Sequence, residues 1–242
     1  MRYNSPVMEK ILPFPFRVSI EEALTIQKEL ERRISLHYTL EDASVNCIGG
    51  IDVSYLKSGF SMAVAVVLSF PEFQLLEVQV GKAPASFPYI PGFLSFREGP
   101  AIEKALSRIK KEPQLWFFDG QGIAHPRGVG LASHIGVLFD LVSIGIAKKP
   151  LIGEFEPPPP EKGAYSPLYY QEKQVGFAVR TRKNVKPIYV SPGHKISLEG
   201  ALRWALKATG RYRLPEPTRI AHQLSQKLKK EGQDLGPGNT VF

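Results

Sequence analysis

The segment LWFFDGQGIAHPRGVGLASHIG, residues 115–136, limits the possible folds more than any other part of the chain. Its four consecutive apolar residues at 115–118 predict a strand buried on both faces, as inner strands are when helices cover a sheet on two sides. The run stops at Asp119-Gly120, so a carboxylate stands at the strand's carboxyl end, where open α/β sheets leave a crevice for ligands. Glycines at 120, 122, 128 and 130 leave the next loop short of side chains, so backbone can approach a ligand. From 129 to 141 the apolar spacing turns helical. An Asp-Gly pair also serves as a plain turn, so Asp119 alone fits either role.

Before this segment, apolar runs at 45–55, 62–70 and 73–80 are separated by Ser58-Gly59 and Pro71-Glu72, the pattern of an antiparallel meander. Asp52 lies between Ile51 and Val53, and alternation sends it to the face opposite theirs, as a solvated polar residue or as a functional acid. Ser19 and Glu22 form a capping box that opens a helix over 20–35. Pro100 suits the first turn of a helix over 100–111, which leaves Glu98 at its amino end, outside the buried stripe, where an acid complements the helix dipole. Between meander and helix, Phe87-Pro88-Tyr89-Ile90-Pro91-Gly92-Phe93-Leu94 is too proline-rich for helix or central strand. A stiff frame of this kind can hold an aromatic ready to wedge between bases, or its aromatics can plug the core.

Beyond the central segment, 142–147 reads as a buried strand ending at Lys148-Lys149, on Asp119's edge if the two strands are parallel. Prolines 157–160 read as an extended surface loop, because strand patterns resume at 175–181 and 187–191. Ser191-Pro192-Gly193-His194 reads as a turn with a structural histidine. Helices over 198–209 and 217–230 close the order. On the second, Ile220, Leu224 and Leu228 are the predicted buried ridge, with Thr218, His222 and Gln226 on a polar ridge facing a cleft or water.

A length of 242 residues accommodates one large α/β domain or two small ones. We read 1–231 as one domain, with 1–16 as an extended arm and 232–242 as a disordered tail. No run approaches eighteen apolar residues and the start carries no basic-then-apolar signal, so the expectation is a cytoplasmic protein with no membrane partner. The single cysteine, Cys47, reads as core filler, which argues against disulfide or structural zinc chemistry. Lys and Arg outnumber Asp and Glu by 31 to 23, a net +8 that favours anionic partners such as nucleic acid.

A meander with an acid on its first strand, then a helix, then a buried strand ending in a second acid is the order of the ribonuclease-H-like fold. That is an α/β architecture with a central mixed sheet flanked by helices. Within it, GGIDVSY (49–55), FPYIPGFLSFREGP (87–100), FFDGQGIAHPRGVGLASHIG (117–136), IGIAKK (144–149), VSPGH (190–194) and PEPTRIAH (215–222) resemble the endonuclease V family. The resemblance implies a metal-dependent DNA repair endonuclease. It would recognise deoxyinosine in single- or double-stranded DNA and cut the second phosphodiester bond 3′ to it, leaving 3′-hydroxyl and 5′-phosphate ends. By the same resemblance Asp52, Asp119 and Glu98 are the metal-binding acids, with Lys148 and His222 beside the metal and the scissile phosphate. Pro88, Tyr89, Ile90 and Pro91 match the strand-separating wedge, while Gly92, Leu94, Gly120, Gly122, His125 and Leu131 match the pocket for the extruded base. Clustered carboxylates are costly without a cation, and hard oxygen ligands select Mg²⁺, with Mn²⁺ as a substitute. The expected protein is a monomer. The rival readings are an endonuclease acting mainly on inosine-containing RNA and a non-catalytic nucleic-acid-binding protein on the same fold.

Overall fold

The computed structural model describes residues 8–37, 40 and 44–231. The start of the proposed arm, 1–7, and the proposed tail, 232–242, lie outside the described residues. Eight strands form one mixed sheet: β1 (Cys47–Tyr55), β2 (Phe60–Ser69), β3 (Leu75–Pro84), β4 (Leu115–Asp119), β5 (Ser143–Ala147), β6 (Tyr165–Tyr170), β7 (Lys173–Val179) and β8 (Ile188–His194). Their spatial order is β3-β2-β1-β4-β5-β8-β7-β6. The first three make the antiparallel meander, and β4 runs parallel to both β1 and β5. Asp119 and Lys148 therefore do leave the sheet at the same edge.

Alternation divides the core. Ile51, Ala63, Trp116 and Phe118 face one layer, made by α1 (Ile20–Glu31), α2 (Leu94–Leu106) and α3 (Leu131–Phe139). Ile48, Met62, Phe117 and Ile144 face the other, made by α4 (Leu198–Lys207) and α5 (Glu216–Glu231). These strand residues are fully buried on both layers, as the apolar run at 115–118 requires. Ser19 caps α1 in the predicted capping box, and Cys47 is buried.

Four expectations need correction. Helix α2 begins at Leu94 rather than Pro100, so Pro100 sits inside it and Glu98 is a buried helical residue instead of an exposed amino-terminal acid. Burial of Phe96, Ala101 and Ile102 outweighs the one backbone bond that proline removes. Gly99 is small because Phe16, from the described part of the arm, packs on it: a Cβ there would lie 2.2 Å from that ring. Second, residues 191–194 continue β8 instead of turning, paired with β5 through a register shift that accommodates Pro192. Third, β6 is an additional strand: YSPLYY alternates exposed and buried residues at the sheet edge, where its proline is tolerated. Fourth, the buried ridge of α5 is Thr218, Ala221, Ser225 and Leu228, with Ile220 and Leu224 only partly buried.

Candidate metal centre and base recess

Register brings the two aspartates together. Ile51 pairs with Phe118 across the parallel β1/β4 ladder, so Asp52 and Asp119 are the next residues on neighbouring strands and share the face that α5 covers. Helix α5 comes close because Gly50 lacks a side chain, and a Cβ there would lie 2.2 Å from the Pro217 carbonyl oxygen. One ligand atom each from Asp52, Asp119 and His222 lies within 4.8 Å of the others. His222 Nδ1 is 3.2 Å from Asp52 Oδ1, and Ser225 Oγ donates a short hydrogen bond to Asp52 Oδ2. Behind Ser225, the Ser54 hydroxyl at 3.1 Å and Gln226 Nε2 extend the network. Lys148 Nζ donates to Asp119 Oδ2 at 2.5 Å.

Glu98 enters from the opposite layer. Tyr55, whose ring lies under Arg97, donates to Glu98 Oε1 at 2.7 Å, and Glu98 stands outside the three-residue ligand group. Burial first, then the neighbouring aspartates, push the Glu98 carboxyl up to about 8, against the opposing pull of the Tyr55 hydrogen bond. Burial and Asp119 likewise raise Asp52 to about 6. Burial and mutual repulsion thus penalise negative charge at this centre, offset at Asp119 by Lys148, and two carboxylates beside an imidazole nitrogen are a fitting donor set for a divalent cation.

The proline frame projects its aromatic outward. Tyr89 is 74 % exposed, while Phe87 stacks on Phe93 and Phe96, and Ile90 packs on the core. Pro88 and Pro91 are exposed beside Tyr89. The frame is tied down by Arg97, which donates to the Phe87 and Ala85 carbonyls.

Behind it lies a recess of about 40 Å³, lined by Gly92, Leu94, His125 and Leu131 among the predicted residues, and also by Gln121 and Leu151. The Gly92 carbonyl accepts from Gln27, His125 Nε2 and Arg127 at 2.8, 3.0 and 2.7 Å. Burial, then Arg127, lower the His125 imidazole to about 4, so it is a neutral Nε2–H donor. Gly120 and Gly122 lie behind the recess: Leu131 packs on the first, and a Cβ on the second would meet the Pro192 oxygen at 2.0 Å. Residue-level reading missed Ser225, Tyr55 and Gln121. For Ser225 the signal was available, since it stands one helical turn from His222.

A ribonuclease-H-like sheet that sets an aspartate in mid-strand beside another at the end of the neighbouring parallel strand, with a histidine against the first, is the framework of a metal-dependent nuclease. Comparison with known proteins agrees. The sequence model described as endonuclease V matches residues 28–223. The chain is 49 % identical over 208 residues to endonuclease V of Rippkaea orientalis, covering 86 % of this chain and 90 % of that one. Its structure is similar to that of the Bacillus subtilis endonuclease V, with a TM-score of 0.89 at 30 % identity, covering 95 % of this chain and 100 % of that one. It is also similar to Ciona intestinalis endonuclease V, solved in complex with a 23mer DNA containing an inosine followed by a ribo-adenosine. There the TM-score is 0.75 at 33 % identity, covering 89 % of this chain and 100 % of that one. This chain belongs to the endonuclease V family, and it is a metal-dependent endonuclease with nucleic acid as its substrate. Among the described residues, no helix is long and apolar enough to cross a membrane.

Proposed function

We propose that the protein is a monomeric cytoplasmic DNA repair enzyme that recognises deoxyinosine and hydrolyses the second phosphodiester bond 3′ to it, leaving 3′-hydroxyl and 5′-phosphate ends. The observation that carries this reading is the convergence of Asp52, Asp119 and His222 beside Lys148, at the loop whose other side forms the recess. One domain over 1–231 fits a sheet whose strands come from 47 to 194.

Asp52 and Asp119 would hold Mg²⁺, or Mn²⁺ in its place, with His222 and Glu98 close by. When bound, the cation supplies positive charge that favours water as nucleophile and offsets charge on the leaving oxygen. Lys148 shares its ammonium between Asp119 and the phosphate, adding stabilisation as negative charge builds there. Ser225 fixes the Asp52 carboxylate, and His222 orients an attacking water or a phosphate oxygen.

Tyr89 fills the gap left in the stack when the lesion turns out of the strand, a step that costs roughly a few kcal/mol and less at a mismatch. Hypoxanthine carries a carbonyl and an N1–H where adenine has an amino group and a bare nitrogen. A site built of fixed backbone donors and acceptors accepts the first and leaves groups unpaired with the second. The recess holds about one water as it stands, so a purine enters by moving its rim, where Leu151 is 41 % exposed.

The test is cleavage of matched inosine and adenine oligonucleotides in Mg²⁺, with wild type cutting only the former. Inosine-containing RNA as the main substrate is the second reading, favoured by the ribo-adenosine that follows the inosine in the Ciona complex. An RNA arm in the same assay decides between them, and Mg²⁺-dependent cutting of either excludes a purely binding role.

A further inference from the structure

Asp119 and Lys148 occupy one edge of the sheet, and the strand directions carry a second basic element to that edge. Ala147 pairs with Tyr189 and Val179 with Ile188, so the β7–β8 loop, residues 180–187, emerges beside Lys148. Its sequence, RTRKNVKP, has four cations and no acid.

The loop is built into place. Arg180 donates to the Pro158, Pro159 and Val185 carbonyls at 2.9, 2.7 and 2.6 Å, and Asn184 N–H donates to the Pro160 carbonyl at 3.0 Å. The prolines of 157–160 thus act as a stiff backing strip with carbonyls in fixed positions. Arg213 joins the loop to the catalytic edge, donating to Lys186 O, Pro187 O and Lys148 O at 2.9, 2.8 and 3.2 Å.

With two arginines spent on backbone, Arg182, Lys183 and Lys186 remain exposed, and among the described residues none has an ion-pair or hydrogen-bonding partner for its side chain. Like charges held together without counter-ions raise one another's energy, and a polyanion relieves that cost. Ordering the loop backbone beforehand removes that part of the entropy cost of binding.

We propose that Arg182, Lys183 and Lys186 form a phosphate-binding rail for the substrate strand, continuing from Lys148 along the β8 side of the metal centre. The rail reads no base; it fixes where the strand lies relative to Asp119. The inference rests on a nucleic-acid strand passing Asp119, and not on which base is recognised.

The experiment measures the salt dependence of binding in Ca²⁺ for single-stranded inosine and adenine oligonucleotides. It compares wild type with the triple variant Arg182→Ala/Lys183→Ala/Lys186→Ala. A control, Lys104→Ala/Lys110→Ala/Lys111→Ala, removes the same charge from exposed positions on α2 and ahead of β4, at the opposite end of β4 from Asp119. Single-strand contacts contribute about 0.7 each to the slope of log affinity against log salt. The loop variant should flatten the slope by about two and weaken binding at 0.1 M salt by roughly a hundredfold, equally for both bases. The control should keep the wild-type slope. An unchanged slope in the loop variant, or an equal flattening in the control, overturns the rail. Wild type binding both bases equally would instead contradict inosine recognition and leave the slope comparison intact.

Discussion

Asp52 and His222, 170 residues apart in sequence, meet at 3.2 Å between Oδ1 and Nδ1. The contact exists because α5 lies directly on β1 at Gly50, whose added Cβ would run into the Pro217 backbone at 2.2 Å. Gly50→Ala is therefore expected to lift the amino end of α5, costing about 1–3 kcal/mol as overpacked sites do. Activity should fall with stability, since His222 moves with the helix. Chemical denaturation with a parallel cleavage assay checks this, and full activity in a destabilised variant would show that α5 does not set the site.

Ser225 holds the Asp52 carboxylate oxygen that His222 does not contact. Ser225→Ala should leave the carboxylate free to rotate, and partners of metal ligands typically account for 10–100-fold in affinity. Calorimetric titration with Mn²⁺ should show a loss of about that size, with a smaller loss for Ser225→Thr, which keeps the hydroxyl.

Tyr89 makes little contribution to the fold, being 74 % exposed. Tyr89→Ala should change stability by less than about 0.5 kcal/mol yet weaken binding to duplex lesions more than to the same lesion in a single strand. Equal loss on both substrates would make Tyr89 a stacking platform instead of a wedge.

Two buried histidines make stability depend on pH. Burial lowers His134, which meets Ser95 Oγ at 2.8 Å between the rings of Phe16 and Phe96, to about 3, and His125 to about 4. Above the unfolded value of 6.5 both states are neutral and nothing is lost. As pH falls below it the unfolded chain takes up protons that the folded chain refuses. Stability should then drop by up to about 1.4 kcal/mol per pH unit for each histidine, until the folded values are reached. Glu98 and Asp52, raised to about 8 and about 6, take up protons in the folded state over the same range and oppose this loss, so the test is a difference between proteins: between about pH 7.5 and 4.5 the melting temperature of His134→Gln should lose less, or gain more, than that of wild type. Identical slopes would mean His134 protonates in place.

Much of this was legible in the sequence, because the signals were local. The apolar run ending at Asp119, the capping box at Ser19 and the turns around β2 each depend on neighbouring residues, and the structure keeps them. Glu98 was misplaced because Gly99-Pro100 resembles a helix start, whereas the helix is fixed by Phe96 and Ile102 burying against distant strands. Ser191–His194 looked like a turn for the same reason: pairing with β5, not local preference, keeps it extended. Tyr55 acquires its role only through a partner 43 residues away, a relation no local pattern records, whereas Ser225, whose partner is 173 residues away, could be suspected only from its place one helical turn after His222.

The most direct test of the metal centre is Asp119→Asn with an inosine-containing oligonucleotide, cleavage read in Mg²⁺ and binding in Ca²⁺. The variant keeps the shape of the side chain and removes its charge. Binding is expected to persist while cutting falls by more than the 10–100-fold typical of losing an outer partner. Cutting at the wild-type rate, still dependent on Mg²⁺, would place the metal somewhere other than between Asp52 and Asp119.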